Sequence, residues 1–138
     1  MQLTKNFSLK EFDCSDGTPV PDFVTIKGKT YPVKENIKKL AEQLEILRTE
    51  INSPLFINSG FRTVEYNKKV GGVSNSQHLY GIASDVRSTK FTPLQLSIIV
   101  EKMISEGKLQ FKGLGLYDTF IHLDLRKTKS RWDFRKHK

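Results

Sequence analysis

The sequence predicts an α+β fold, a small and mainly antiparallel sheet with helices on one side and a cleft on the other. Three observations predict it. Residues 37–51 and 96–103 repeat apolar side chains at three- and four-residue steps, so each forms a helix with one face to bury. Short runs at 55–58, 113–117 and 120–126 have the length and apolar content of strands. A tight turn at Asp118-Thr119 joins the last two.

In chain order, Ser8-Leu9-Lys10-Glu11 has the form of a capping box and starts a short helix. Residues 13–21 are rich in Asp, Ser, Gly and Pro and read as a loop. Pro32 opens the first long helix, whose stripe is Ile37, Leu40, Ala41, Leu44, Leu47 and Ile51, and Asn52-Ser53-Pro54 stops it. The strand at 55–58 delivers Ser59-Gly60-Phe61-Arg62 to a sheet edge. Residues 65–70 suit one or two helical turns, closed by Gly71-Gly72. Thr92-Pro93 supplies an N-cap with proline at the first helical position, and Leu96, Ile99, Val100 and Met103 follow as the buried stripe until Gly107.

At 138 residues the chain is expected to be one domain, 1–138, with a core large enough to need no disulfide. Cys14 is the only cysteine and reads as a small packed side chain; a closed structural zinc site rich in cysteine is excluded. No apolar run approaches membrane-spanning length, and residues 1–6 lack the apolar centre of a signal peptide, so synthesis in a cytoplasm is expected. The net charge of +8 is uneven: residues 126–138 hold seven basic side chains and one acid, Asp133. Such a basic tail suits any polyanion, whether nucleic acid, membrane surface or anionic cell wall. Trp132 is expected to pack this tail onto the domain, and His137 to be solvated.

The chemistry gathers at Ser76-Gln77-His78-Leu79-Tyr80-Gly81-Ile82-Ala83-Ser84-Asp85 and at Phe120-Ile121-His122-Leu123-Asp124. Two imidazoles and a carboxylate suit a zinc ion with one coordination position left open, the arrangement of hydrolytic sites. Side chains alternate across a strand. His122, Asp124 and Arg126 therefore share a face opposite Ile121, Leu123 and Leu125, and Asp85 lies opposite Ser84 and Val86. Gly81 and Ala83, on the face of Asp85, are expected to leave room for substrate. Ser76 is expected to brace the His78 loop by hydrogen bonding.

The order Ser-x-His-x-x-Gly-x-Ala-x-Asp, with a strand histidine after it, resembles the zinc D-alanyl-D-alanine carboxypeptidases and related peptidoglycan peptidases, which share the hedgehog-domain fold. Residues 6–12 with Cys14 resemble the opening of the small, often phage-encoded branch. Ser59-Gly60-Phe61-Arg62-Thr63, Tyr66-Asn67 and Val70-Gly71-Gly72 resemble its middle. Residues 113–117 through Arg126, then Arg131-Trp132, resemble its end. The resemblance implies a peptidoglycan peptidase, of D-Ala-D-Ala carboxypeptidase or L-alanyl-D-glutamate endopeptidase type, with zinc on His78, Asp85 and His122. It implies that Arg62 binds substrate and stabilises an oxyanion. It also suggests a monomeric phage endolysin or virion lysin, delivered with a partner such as a holin.

One departure stands out. Related enzymes carry an acid three residues before the second zinc histidine or a histidine two before it, where this chain has Thr119 and Phe120. Asp124, on the strand face of His122, and Asp118, in the turn, are the remaining candidates for the general base; the alternative for Asp124 is a supporting or ion-pair role with Arg126. The missing base also admits a non-catalytic zinc module that binds cell wall or protein. A basic nucleic-acid-binding module ranks last, since the interior lacks a recognition-helix pattern.

Overall fold

The computed structural model describes residues 1–137; Lys138, the last of the basic run, lies outside the described residues. Seven strands and three α-helices follow one another as β1 (Val24–Ile26), β2 (Lys29–Tyr31), α1 (Val33–Ile51), β3 (Leu55–Ser59), α2 (Val64–Lys69), β4 (Ala83–Ser88), α3 (Pro93–Ser105), β5 (Gly113–Leu116), β6 (Ile121–Asp124) and β7 (Ser130–Asp133). Single 3-10 turns at Leu9–Phe12 and Gln77–Tyr80 precede β1 and β4.

The main sheet has the order β3-β4-β6-β5-β7, antiparallel except for the parallel pair β5 and β7. Helices α1 and α3 bury Ile37, Leu40, Leu44, Leu47, Leu96 and Val100 in one core with Val86, Leu114, Leu116, Ile121 and Leu123 of the sheet. The α+β class and the helix stripes stand as the periodicity predicted. Thr92 caps α3 reciprocally with Gln95, its Oγ1 accepting from Gln95 N at 3.2 Å while Oε1 accepts from Thr92 N at 3.0 Å. At the start of the chain Ser8 N donates to Glu11 Oε2 at 2.6 Å, so the expected helix is a single 3-10 turn ending on the buried Phe12.

Two elements depart from expectation. Residues 24–31 form a separate hairpin around Lys27 and Gly28, both at positive φ, a conformation in which glycine has no Cβ penalty. Of the basic stretch 126–138, the described residues 126–137 are not a free tail. Their middle is the edge strand β7, which β5 accepts in parallel register, Gly113 opposite Ser130 and Gly115 opposite Trp132. The positive charges obscured the strand, and the arginines of this stretch all have partners. Arg126 pairs with Asp124, Arg131 with Glu101 and Arg135 with Asp133.

Candidate metal centre

Register brings the site residues together. Asp85 of β4 pairs with His122 of β6, and Ala83 with Asp124, so their side chains share the face turned away from α1 and α3. On the other flank Gly115 faces His122 and Gly113 faces Asp124. His78 arrives from the 3-10 turn before β4. Ser76 Oγ accepts from His78 N at 3.3 Å, bracing that turn as expected, and Gly81 closes it at φ +76°.

Gly81 and Ala83 do not serve the purpose expected of them. A Cβ on Gly81 would strike the backbone of Val33 at the start of α1, so its smallness serves packing. Ala83 is fully buried. Space on the site face comes from β5, where a Cβ on Gly113 would fall on the Asp124 carboxylate and one on Gly115 on the Trp132 ring.

His78 Nε2 lies 3.3 Å from Asp85 Oδ1, and His122 Nδ1 lies 3.1 Å from the same oxygen. All three residues are buried. The second nitrogen of each ring is also held: His78 Nδ1 is 2.7 Å from Gly60 O, and His122 Nε2 is 2.7 Å from Asp124 Oδ2. A carbonyl only accepts, so His78 carries its proton on Nδ1; a carboxylate likewise takes the His122 proton on Nε2. In these neutral tautomers two nitrogen lone pairs converge on a carboxylate. Three acceptors pointed at one another repel unless a cation sits between them. Their spacing suits zinc, because tetrahedral ligands about 2.0–2.1 Å from the ion are about 3.3 Å apart. Among the described residues these three are the group able to hold a metal.

With no cation between them, the two rings instead act as donors to the Asp85 carboxylate. Burial alone would raise the Asp85 carboxyl, but hydrogen bonds from His122 and His78 outweigh it and hold the group well below the usual carboxylate range. Burial opposes protonation of His122, yet its bonds to Asp124 and Asp85 push its pKa up. Asp124 likewise stays ionised despite its burial, through His122 and Arg126.

The Ser59–Arg62 segment positions the remaining pieces. Gly60 runs so close to the Phe12 backbone that a Cβ would collide with it, and Phe61 N donates to Phe12 O at 2.9 Å. That contact aims the Gly60 carbonyl at His78. Arg62 lies at the cleft with Nε on Ser59 Oγ, Nη1 on Asn67 Oδ1, both at 3.2 Å, and Nη2 3.5 Å from Asp85 Oδ2. Asn67, itself buried, also donates from Nδ2 to Val73 O at 2.8 Å, which ties the guanidinium to the loop forming one wall.

The two candidate bases fare differently. Asp124 touches His122, but its carboxylate is fully enclosed and both oxygens are occupied: Arg126 Nε reaches Oδ1 at 2.9 Å, and Arg126 Nη2 reaches Oδ2 at 2.7 Å. Asp118 is not brought to the site. It is exposed and accepts from the backbone amides of Lys136 and His137, both at 3.1 Å.

The cleft encloses about 630 Å³. Its far wall is aromatic, which sequence reasoning missed. Trp132 packs on His122 with ring centroids 5.0 Å apart and donates from Nε1 to Tyr117 Oη at 3.0 Å. Tyr117 stacks on Phe120 at 4.5 Å and meets Phe134 edge-on. Burial, with the Asp85 charge, raises the Tyr117 phenol above its ordinary range, so it keeps its proton at neutral pH. The available signal was the two-residue period, which puts Trp132 of β7 and Phe134 just after it on one side of the chain.

The sequence profile described as Peptidase M15 matches residues 5–124. The chain belongs to the Peptidase M15 family. Among curated proteins it is similar to the zinc D-Ala-D-Ala carboxypeptidase of Streptomyces albus G, 51% identical over 35 residues, which are 25% of this chain and 14% of that protein. Among the described residues of this M15 peptidase no helix is long and apolar enough to cross a membrane.

Proposed function

We propose that this M15 peptidase hydrolyses a peptide bond in bacterial peptidoglycan, using a zinc ion held by His78, Asp85 and His122. The observation that carries the reading is the convergence of three buried acceptor atoms whose tautomers are fixed from behind by Gly60 O and Asp124. Zinc bound there supplies Lewis acidity for activating water and polarising a carbonyl. The carboxypeptidase of Streptomyces albus G supports both metal and substrate class.

The chain's own groups have separable tasks in this reading. Arg62, fixed through Ser59 and Asn67, offers its remaining donors to negative charge developing on the carbonyl oxygen. Tyr117 accepts from Trp132 and keeps its own O–H to donate. Asp124 holds a proton on His122 Nε2 and so keeps the Nδ1 lone pair turned towards Asp85. Asp124 is thus a positioning residue, and Asp118 has no part in proton transfer. The reading extends to a monomeric phage endolysin or virion lysin that exposed lysines hold to an anionic wall. Its phage element rests on the resemblance of residues 6–12 to the phage-encoded branch.

Defined muropeptides incubated with the protein, with and without zinc, test the activity. Cleavage that needs zinc is expected, and none across carboxypeptidase and endopeptidase substrates would leave a binding module of the same fold. One zinc per chain is expected, lost in His78→Ala, Asp85→Ala or His122→Ala. Arg62→Ala should retain zinc and lose about 10²–10³-fold in turnover. Asp124→Asn should weaken zinc binding by about 10–100-fold. Undiminished zinc affinity with abolished hydrolysis in that variant would return Asp124 to the role of general base.

A further inference from the structure

Three arginines line the cleft: Arg62, Arg126 and Arg131. Arg62 bonds protein acceptors through all three of its nitrogens. Arg131 does the same through Glu101, Lys112 O and Ser130 O. Arg126 differs. Its Nε and Nη2 are spent on Asp124, while Nη1 has no protein acceptor among the described residues. The Asp124 clamp and the Trp132 ring, 5.2 Å from the guanidinium carbon, fix the group in place.

The distance of the guanidinium from the metal ligands is bounded. Arg126 Nη2 and His122 Nε2 each lie 2.7 Å from one oxygen, Asp124 Oδ2. The guanidinium is therefore less than two hydrogen-bond lengths from the ring whose other nitrogen faces the metal position. A peptide bound with its scissile carbonyl at that position would place the substituents of the next residue about one Cα spacing, about 3.8 Å, further on. Where that residue extends towards Trp132, its carboxylate can meet the free Nη1 of Arg126 in a charge-assisted bond.

We propose that Arg126 is a specificity-determining residue that binds a free carboxylate on the substrate residue contributing the scissile nitrogen. This rests on the peptidase reading above and deepens it. A D-Ala-D-Ala terminus and an L-alanyl-D-glutamate bond whose glutamate continues through its side chain share one feature: a free α-carboxylate on the carbon next to the scissile nitrogen. One arginine thus serves either bond, and the substrate class is an anionic peptide with that local structure. Asp124 links the two functions, orienting a metal ligand with one bond and the carboxylate receptor with the others.

The test compares substrates as well as variants, because Arg126→Gln also strips a partner from buried Asp124. Matched peptides are made with the carboxylate free or converted to the carboxamide, and kcat/KM is measured for both. The wild type should prefer the acid by at least tenfold. In Arg126→Gln the preference should collapse towards unity, with Arg126→Lys in between. A purely structural loss would lower both substrates equally and leave the ratio intact, and that outcome overturns the proposal. Equal cleavage of acid and amide by wild type overturns it too, while the peptidase reading stands. If wild type cleaves neither peptide, the peptidase reading fails, and calorimetry with the same uncleaved pair decides the inference. Tighter binding of the acid to wild type, lost in Arg126→Gln, supports it; equal binding sinks it.

Discussion

At Gly115 a single hydrogen atom decides where the aromatic wall stands. The residue faces His122 across β6, and Trp132 occupies the space a side chain would take. Gly115→Ala is therefore expected to push the indole off His122 and break its bond to Tyr117. Overpacking of this kind costs about 1–3 kcal/mol. Trp132 is the only tryptophan, so its fluorescence reports on the site alone. A shifted emission and a lowered urea midpoint are expected; unchanged emission at unchanged stability would show that the ring is not held by the missing Cβ. Other site residues were legible because their types are chemically rare. Three histidines in the chain leave few ways to build a zinc site, and strand alternation put His122 and Asp85 each on the face away from the apolar residues, with His78 a short loop before Asp85. The role of Asp124 was legible only as an alternative to that of general base. Sequence places it on the face of His122, but only the fold shows its oxygens closed in by Arg126.

The elements divide by what holds them. α1 and α3 owe their limits to local chemistry, apolar periodicity with a stop at Asn52 and a reciprocal cap at Thr92, so the sequence carries them almost to the residue. β7 has no such local signal. Ser130–Asp133 is polar, and it becomes a strand because β5 offers an open parallel edge and α3 offers Glu101 to Arg131 at 2.8 and 2.9 Å. The β1–β2 hairpin escaped for a related reason, being three residues long on each side with little buried surface. The Glu101 contact is testable through pH. Hydrogen bonding from Arg131, stronger than the opposing burial, lowers the Glu101 carboxyl below its ordinary range. A carboxyl with a depressed folded pKa adds stability above its unfolded value, about 4.3, and loses it as pH falls through the folded value. Wild type should thus exceed Glu101→Gln in stability at pH 7, by under about 1 kcal/mol because the pair is partly exposed. The gap should close as the pH drops below about 4. A gap that persists unchanged into acid would mean that Arg131 is held by packing and backbone acceptors alone.

Across the whole molecule the charge of +8 takes on a different meaning once pairing is known. Arg126, Arg131 and Arg135 are committed to carboxylates, so they build the site and its edge strand more than they attract a distant polyanion. Lys127, Lys129 and Lys136 are exposed on the same stretch and remain available for long-range attraction. Changing these three to Glu leaves every cleft arginine in place. Binding to whole cell walls should fall, most visibly at low ionic strength, since exposed charges are screened over about 10 Å at 0.1 M salt. Turnover of a small soluble muropeptide should hardly change. Sedimentation with purified walls across a salt series, beside a soluble-peptide assay, separates the two effects. An equal loss in both assays would mean that the lysines act inside the cleft. Loss on walls that ignores salt would point to a contact of shape instead of charge. The expected pattern follows from the proposed function: the site enclosed by β4, β6 and the aromatic wall would read the peptide, while lysines outside that enclosure would act on the polymer that carries it.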